Sequence, residues 1–218
     1  FISKKIANKL KDLLKNNPNF YAEIWDSISA FVKIGVMEDE KFSELAQNSI
    51  IFETKLGSDF VKDEEIDNKF LINFNDKFFT TLENYSNRNN KNENNKIIYC
   101  TDEISQSNAL NLWLSNNREV IKADPLIDAQ FIPWLESQNE KYKFQRVDSE
   151  INDDLEKDSP EIVDKDGKSN TDNIKEIITK ALNNEKVTVK VQSLKNNNAP
   201  PALILLPEQM RRINDMGA

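Results

Sequence analysis

Residues 96–147, KIIYCTDEISQSNALNLWLSNNREVIKADPLIDAQFIPWLESQNEKYKFQRV, decide the fold. They open on a β-branched and aromatic run, KIIYC. From Ser105 onward Ala109, Leu110, Trp113 and Leu114 recur at helical spacing. A short strand around Glu119 to Lys122 follows, then a helix near Ile127 to Leu135, then a strand near Lys143 to Val147. Strand, helix, strand, helix, strand with connections of this length predicts a small three-stranded parallel sheet with helices packed on it, an α/β/α unit.

Upstream, Ile2, Ile6, Leu10, Leu13 and Leu14 repeat at helical spacing, and Asn17-Pro18 offers a cap followed by proline at a first helical position. A second helix then carries Tyr21, Ile24, Trp25, Ile28, Phe31 and Val32 on one face as far as Gly35, a helix stop. The two make a helical hairpin. A shorter helix is expected over Lys41 to Ile51, with Phe42, Leu45 and Ala46 inward. Residues 56–77 turn charged and Phe-spotted without a clear period, which reads as a surface insertion. Thr80 and Glu83 have capping-box spacing for a helix that turns Leu82 and Tyr85 inward, and residues 87–96 form a polar connector.

Downstream, residues 148–172 hold ten acidic and three basic side chains. The formal net charge of −8 is therefore concentrated there, and the rest of the chain is close to neutral. With few apolar residues, 148–171 reads as an acidic linker. Ile174, Ile177, Ile178, Ala181 and Leu182 then give a clean amphipathic stripe. Val187, Val189 and Val191 alternate with polar residues as a half-exposed strand, Leu203 to Leu206 reads as its buried neighbour, and a terminal helix follows. The fold class expected is α/β, α+β when the whole chain is counted. Residues 1–147 form a helical hairpin plus the α/β/α unit, and 172–218 form the helix-strand-strand-helix beginning of a second domain. Because the chain opens on Phe1 and stops one helix after a strand, it is expected to be a piece of something longer.

Composition excludes more than it selects. The chain has no histidine, so imidazole-based acid/base work, His metal ligands and His-dependent triads are removed. Its four glycines are too scattered for a phosphate-cradling loop. The single Cys100, in an apolar run, reads as a small buried side chain in a reducing compartment. No window approaches a membrane span, no signal peptide is evident, and the acidic balance argues against nucleic acid. The chain reads as cytoplasmic. Glu38-Asp39 reads as turn charge rather than a catalytic pair. A calcium-loop reading of Asp164 to Gly167 fails because its twelfth position is Lys175. No catalytic residue, no metal site and no cofactor are expected in this piece.

Two stretches carry more apolar surface than their packing needs. In DPLIDAQFIPWLES, Leu126, Ile127, Phe131, Ile132, Trp134 and Leu135 cover more than one helical face. Pro133 is expected to shorten, kink or end that helix, since a mid-helix proline costs about 3 kcal/mol. At the other end, Leu206, Met210, Ile213 and Met216 form a stripe at spacings of four, three and three. Burying such side chains is worth roughly 1.5 to 3 kcal/mol each. An exposed patch of this kind marks a partner surface. The alternatives are core or domain-junction packing for the first stretch, and for the second packing on the strands at 187–192 and 202–206 or a subunit seam.

Several motifs, in order along the chain, resemble the ninety-kilodalton heat-shock chaperone family in its bacterial form, the HtpG chaperones. Lys33-Ile-Gly-Val-Met-Glu-Asp39 is similar to the family's KEGVxED, Thr81-Leu-Glu-Asn-Tyr85 to its SLxEY, and Lys96-Ile-Ile-Tyr-Cys-Thr101 to KIYYxT. Ile127-Asp128 is similar to the IDE of its client-facing helix, and Pro201 to Arg212 to PAxLLxxEQMRRM. The resemblance implies that 1–147 is the later middle domain and 172–218 the start of the C-terminal, dimerising domain. It implies an ATP-dependent stress-response chaperone whose ATP and Mg site lies upstream, so that this piece is not itself an enzyme. Implied partners are partly folded client polypeptides and, in full length, a homodimer. The implied client-binding residues are Leu126, Ile127, Phe131, Trp134, Leu206, Met210, Ile213 and Met216. Ala129-Gln130 stand where many relatives have Glu-Trp, so Phe131 and Trp134 are the substitute aromatic anchors. A structural connector without client binding is the alternative function.

Overall fold

A computed structural model describes residues 2–57, 71–89, 96–149, 155, 169–194 and 201–217. Its centre is the expected unit. Strand β4 (Lys96–Cys100) pairs in parallel with β5 (Val120–Lys122) on one side and β6 (Lys143–Arg146) on the other. Helices α5 (Ser107–Ser115) and α6 (Asp128–Gln138) make the crossovers. The first crossover runs from β4 to β5 and the second back from β5 across β4 to β6, in opposite directions, so right-handed connection places α5 and α6 on opposite faces. The side chains obey that geometry: Ile97, Tyr99, Ile121 and Phe144 join the core with Phe131, Ile132 and Leu135 of α6. The alternate residues Ile98 and Cys100, also buried, point to the α5 face.

The sheet is twice the expected width. Strands β1 (Ile51–Lys55), β2 (Ile72–Phe74) and β3 (Lys77–Thr81) precede β4, giving a six-stranded order β2-β3-β1-β5-β4-β6. The added half is antiparallel, and β1 joins it to β5 through Thr54↔Ile121 and Lys55↔Val120. Part of what reads as an insertion is thus the β2–β3 hairpin. Its turn, Asn75-Asp76, has φ of 49° and 59° at the two central residues, the left-handed pair that a tight two-residue hairpin requires. Residues 58–70 of that stretch lie outside the described residues.

Three helices cover the face shared with α6: α1 (Ile2–Asn16), α2 (Pro18–Glu38) and α3 (Glu40–Ala46), followed by a 3-10 turn, Gln47–Ser49. The expected hairpin is present, but α2 does not stop at Gly35. A Cβ there would meet the Phe42 ring at 3.1 Å, so the glycine serves close approach of α3 rather than termination. The stop is Asp39, whose carboxylate accepts the Phe42 amide at 3.0 Å and the Ser3 hydroxyl at 3.1 Å. The Phe42 amide and then Ser3 hold its pKa below the ordinary aspartate value. Phe31, expected inward, is 78% exposed, because Trp25, Val32 and Val36 fill the stripe that faces the core. Helix α4 (Leu82–Asn89) starts one residue later than expected, with the Thr81 hydroxyl accepting the Asn84 amide. Thr80 is instead a buried residue of β3.

Two compact units divide the chain, one of residues 1–150 with 200–218 and one of residues 151–199. In the second, α7 (Asn170–Leu182) has a full capping box between Ser169 and Asp172, and leaves Ile174, Ile177, Ile178 and Leu182 exposed. The strands expected at 187–192 and 203–206 do not form among the described residues. The two stretches fall in different units, and a two-stranded pairing alone is marginal in water. The terminal helix α8 (Glu208–Gly217) belongs with the first unit, where it contacts α6. Most of the acidic linker, including Asp164 to Gly167, lies outside the described residues.

Candidate functional site

The site begins with a turn. In DPLID, the Asp124 carboxylate accepts the amides of Leu126 at 2.8 Å and Ile127 at 3.1 Å, closing a tight bend with proline at its second position. Leu126 stands at the tip, 84% exposed. Asp128 opens α6, with Oδ2 accepting the Asp124 amide at 2.7 Å. The same carboxylate meets Lys33 of α2 at 2.7 and 2.8 Å, and both side chains are almost wholly buried. The Lys33 ammonium also lies 4.7 Å from the centre of the Phe52 ring. Burial raises the Asp128 pKa above the ordinary aspartate value, and Lys33 opposes the shift. This pair bolts α6 to the helical layer, so the orientation of the turn is set from the core.

Helix α6 runs through Pro133 to Gln138. The ring removes one donor, that for the Ala129 carbonyl, while burial of Phe131, Ile132 and Leu135 on the sheet holds the helix together. Phe131 is completely buried and Trp134 half-buried, its ring stacked on Phe131 at 5.7 Å. These two expected anchors are therefore core or core-adjacent. Ile127 is half-buried and Leu126 is free.

Helix α8 docks with its polar face. Glu208 accepts the Tyr99 hydroxyl at 2.9 Å and the Arg146 amide at 3.0 Å. Arg211 reaches Asp148 through its backbone carbonyl at 3.1 Å and its carboxylate at 2.9 Å. The Arg212 guanidinium bridges Glu136, Glu208 and the Phe144 carbonyl. Burial opposes the charge on Arg212, but the Glu136 and Glu208 carboxylates more than offset it, and its pKa lies above the ordinary arginine value. At 100° per residue, Met210 and Ile213 fall opposite Glu208, Arg211 and Arg212. They are accordingly 56% and 65% exposed. Leu206 is half-buried just before the helix, and Met216 lies in its last turn with a side chain outside the described residues.

Between the Asp124 turn and α8 a cleft of about 280 Å³ opens at the C-terminal ends of β4 and β5. Tyr99, Thr101 and Ala123 belong to its floor, and Leu126, Ile132 and Arg212 to its walls. It is the place where open α/β sheets put their ligands. The structure thus brings Leu126 of the first stretch and Arg212 of the second around one opening. The charged residues that hold it, Lys33, Glu136, Glu208 and Arg212, carry no periodic signal of their own. Among the described residues no group of three or more His, Cys, Asp or Glu is placed to hold a metal ion, and no helix is long and apolar enough to cross a membrane.

The fold and this face define a mixed α/β module that presents apolar side chains on helices docked by buried charge. No family model matches the chain. Its curated relatives are chaperones: it is 27% identical to chaperone protein HtpG of Bacteroides thetaiotaomicron over 230 residues, covering 99% of this chain and 30% of that protein. HtpG of Bacteroides fragilis is 26% identical over 225 residues with the same coverage, and HtpG of Porphyromonas gingivalis 29% identical over 149 residues, 68% of this chain and 20% of that protein. The chain is thus similar to HtpG chaperones, in line with the resemblance of its motifs, and spans about 30% of the length of those it matches end to end. The middle domain of a Plasmodium falciparum heat shock protein superposes with a TM-score of 0.48 at 19% identity, over 68% of this chain and 56% of that one, a likeness too slight to define the fold.

Proposed function

We propose that this chain is the middle and C-terminal segment of an ATP-dependent chaperone of the HtpG kind, and that it holds partly folded client polypeptides on the face formed by α6 and α8. The observation that carries the reading is the inverted seating of α8: its charges face the protein and its Met210 and Ile213 face water. A helix stabilised only in its own fold would bury that stripe, since each such side chain gains roughly 1.5 to 3 kcal/mol on burial. Methionine adapts to varied contacts, which suits clients of no fixed sequence. In this reading ATP and Mg act in another part of the longer, homodimeric, cytoplasmic protein, and the ion pairs at Lys33, Asp148 and Arg212 pass its motions to the client face. No catalytic step falls to this chain.

The test is fluorescence anisotropy of labelled, reduced and carboxymethylated lactalbumin titrated with the chain. Leu126→Ser weakens binding about tenfold, the equivalent of one lost buried side chain, and the pair Met210→Ser and Ile213→Ser about a hundredfold, the equivalent of two, with the thermal melt unchanged. Equal affinity in all variants refutes the reading. The burial of Phe131 and the stacking of Trp134 favour a second one, a structural connector whose remaining apolar residues are covered in the dimer. That reading predicts self-association and no affinity for lactalbumin.

A further inference from the structure

Among the described residues β6 is the last strand of the sheet, paired with β4 on one side. Its outward row of backbone groups is nevertheless satisfied. The Phe144 amide donates to the Glu136 carboxylate at 2.7 Å, and the Arg146 amide to the Glu208 carboxylate at 3.0 Å. The Phe144 carbonyl accepts from Arg212 at 3.3 Å. Residues 144 and 146 are alternate positions along one edge, the spacing at which a neighbouring strand would place its own carbonyl and amide groups. Two carboxylates and a guanidinium therefore stand in for a missing strand. Natural sheets guard an open edge in this manner because an unpaired row of donors and acceptors is a template for another chain.

We propose that α8 is a latch over this edge, and that an extended segment of a partly folded polypeptide adds to β6 as a further strand when the latch lifts. The inference rests on the client-holding reading and names its mode of contact. Glu208 and Arg212 both come from α8, so lifting one helix frees the Arg146 amide and the Phe144 carbonyl together. What holds α8 is polar: Glu208, Arg211 and Arg212 make the contacts, while Met210 and Ile213 bury little. An incoming backbone can replace the two edge hydrogen bonds, at the Arg146 amide and the Phe144 carbonyl, while the side chains released from Tyr99, Glu136 and Asp148 return to water. The occupant needs amide and carbonyl groups in extended register, which every unfolded chain has and a folded surface hides. After release, Met210 and Ile213 are free to cover the apolar side chains of the added strand.

The experiment uses the full chain with reduced, carboxymethylated lactalbumin as the probe. Arg212→Gln weakens the latch and raises affinity about tenfold, since it removes the guanidinium that bridges the half-buried Glu136 and Glu208 carboxylates and the Phe144 carbonyl. Hydrogen exchange at the Arg146 amide, which α8 covers through Glu208, quickens in this variant and slows again when lactalbumin is added. Adding Arg146→Pro removes the outward donor without touching the β4 ladder, and abolishes the gain. Affinity unchanged within twofold or lowered by Arg212→Gln, or protection only at other amides, overturns the latch. If lactalbumin still binds and Met210→Ser still weakens it while the edge amides stay unprotected, the latch fails and the client face stands. If lactalbumin binds no variant, both fail. Edge protection that appears in Arg212→Gln alone, with a concentration-dependent dimer, makes the occupant a second copy and also overturns the proposal.

Discussion

Lys33→Met removes the cation that pairs with Asp128. The two side chains are 5% and 1% exposed and meet at 2.7 Å, so the variant leaves a carboxylate in an apolar site with only the Asp124 amide bonded to it. Breaking a buried pair from one side costs about 3 to 5 kcal/mol, most of it the penalty of the orphaned charge. In a domain of this size each kcal/mol lowers Tm by about 2 to 4 °C, giving a fall of roughly 6 to 20 °C. Urea titration followed by tryptophan fluorescence measures the loss. The pH dependence has a definite sign. Burial already raises the Asp128 pKa, and without Lys33 it rises further, so the folded variant binds a proton more readily than the unfolded chain. Its deficit is then full at neutral pH and shrinks as pH falls toward the unfolded aspartate value near 4. Lys33→Met with Asp128→Asn, which keeps an acceptor for the Asp124 amide but drops the charge, recovers most of the loss. A deficit under about 1 kcal/mol, or one that does not depend on pH, refutes the claim that this pair fixes α6.

Glu119 is fully buried, with Thr54, Arg88 and Asn89 all donating to its carboxylate, so Glu119→Ala removes the acceptor that these three donors share and lowers stability by about 3 to 5 kcal/mol in the same urea assay. Gly57→Ala puts a Cβ 2.6 Å from the Leu114 carbonyl oxygen and 2.7 Å from the Asn117 Cα, both backbone atoms, and costs about 1 to 3 kcal/mol or more by calorimetry. Burial pushes the Cys100 thiol up to about 11, so at pH 8 the folded chain does not react with a thiol reagent and the urea-unfolded chain reacts at once. Docking of α8 depends on charge, so raising salt quickens exchange of the Arg146 amide while the amides of β4 are unaffected.

The parallel half of the sheet is legible because β4 and β5 are short runs with β-branched residues and α5 keeps a clean period, so that strands and helices alternate along the sequence. The antiparallel half hides for a local reason. Ile50-Ile51 continues the apolar residues of α3 and reads as the end of that helix, whereas the chain turns through 47–49 into β1. The signal that could have found the hairpin is Asn75-Asp76 between INF and KFF, a two-residue turn flanked by alternating apolar residues. Periodicity also cannot reveal Lys33 with Asp128, or Glu119 with Arg88, since the partners lie 95 and 31 residues apart. Phe131 and Met210 carry the same apolar signal in sequence. Only the sheet beneath α6 and the charges beneath α8 separate a core residue from an exposed one.

The most direct measurement of client holding follows backbone amide resonances of the isotope-labelled chain as reduced, carboxymethylated lactalbumin is added. The account predicts shifts concentrated at residues 124–128, 144–148 and 206–213, with the amides around Phe31 unmoved although that side chain is just as exposed. Shifts spread over every exposed apolar residue, or confined to α1 and α2, would contradict it.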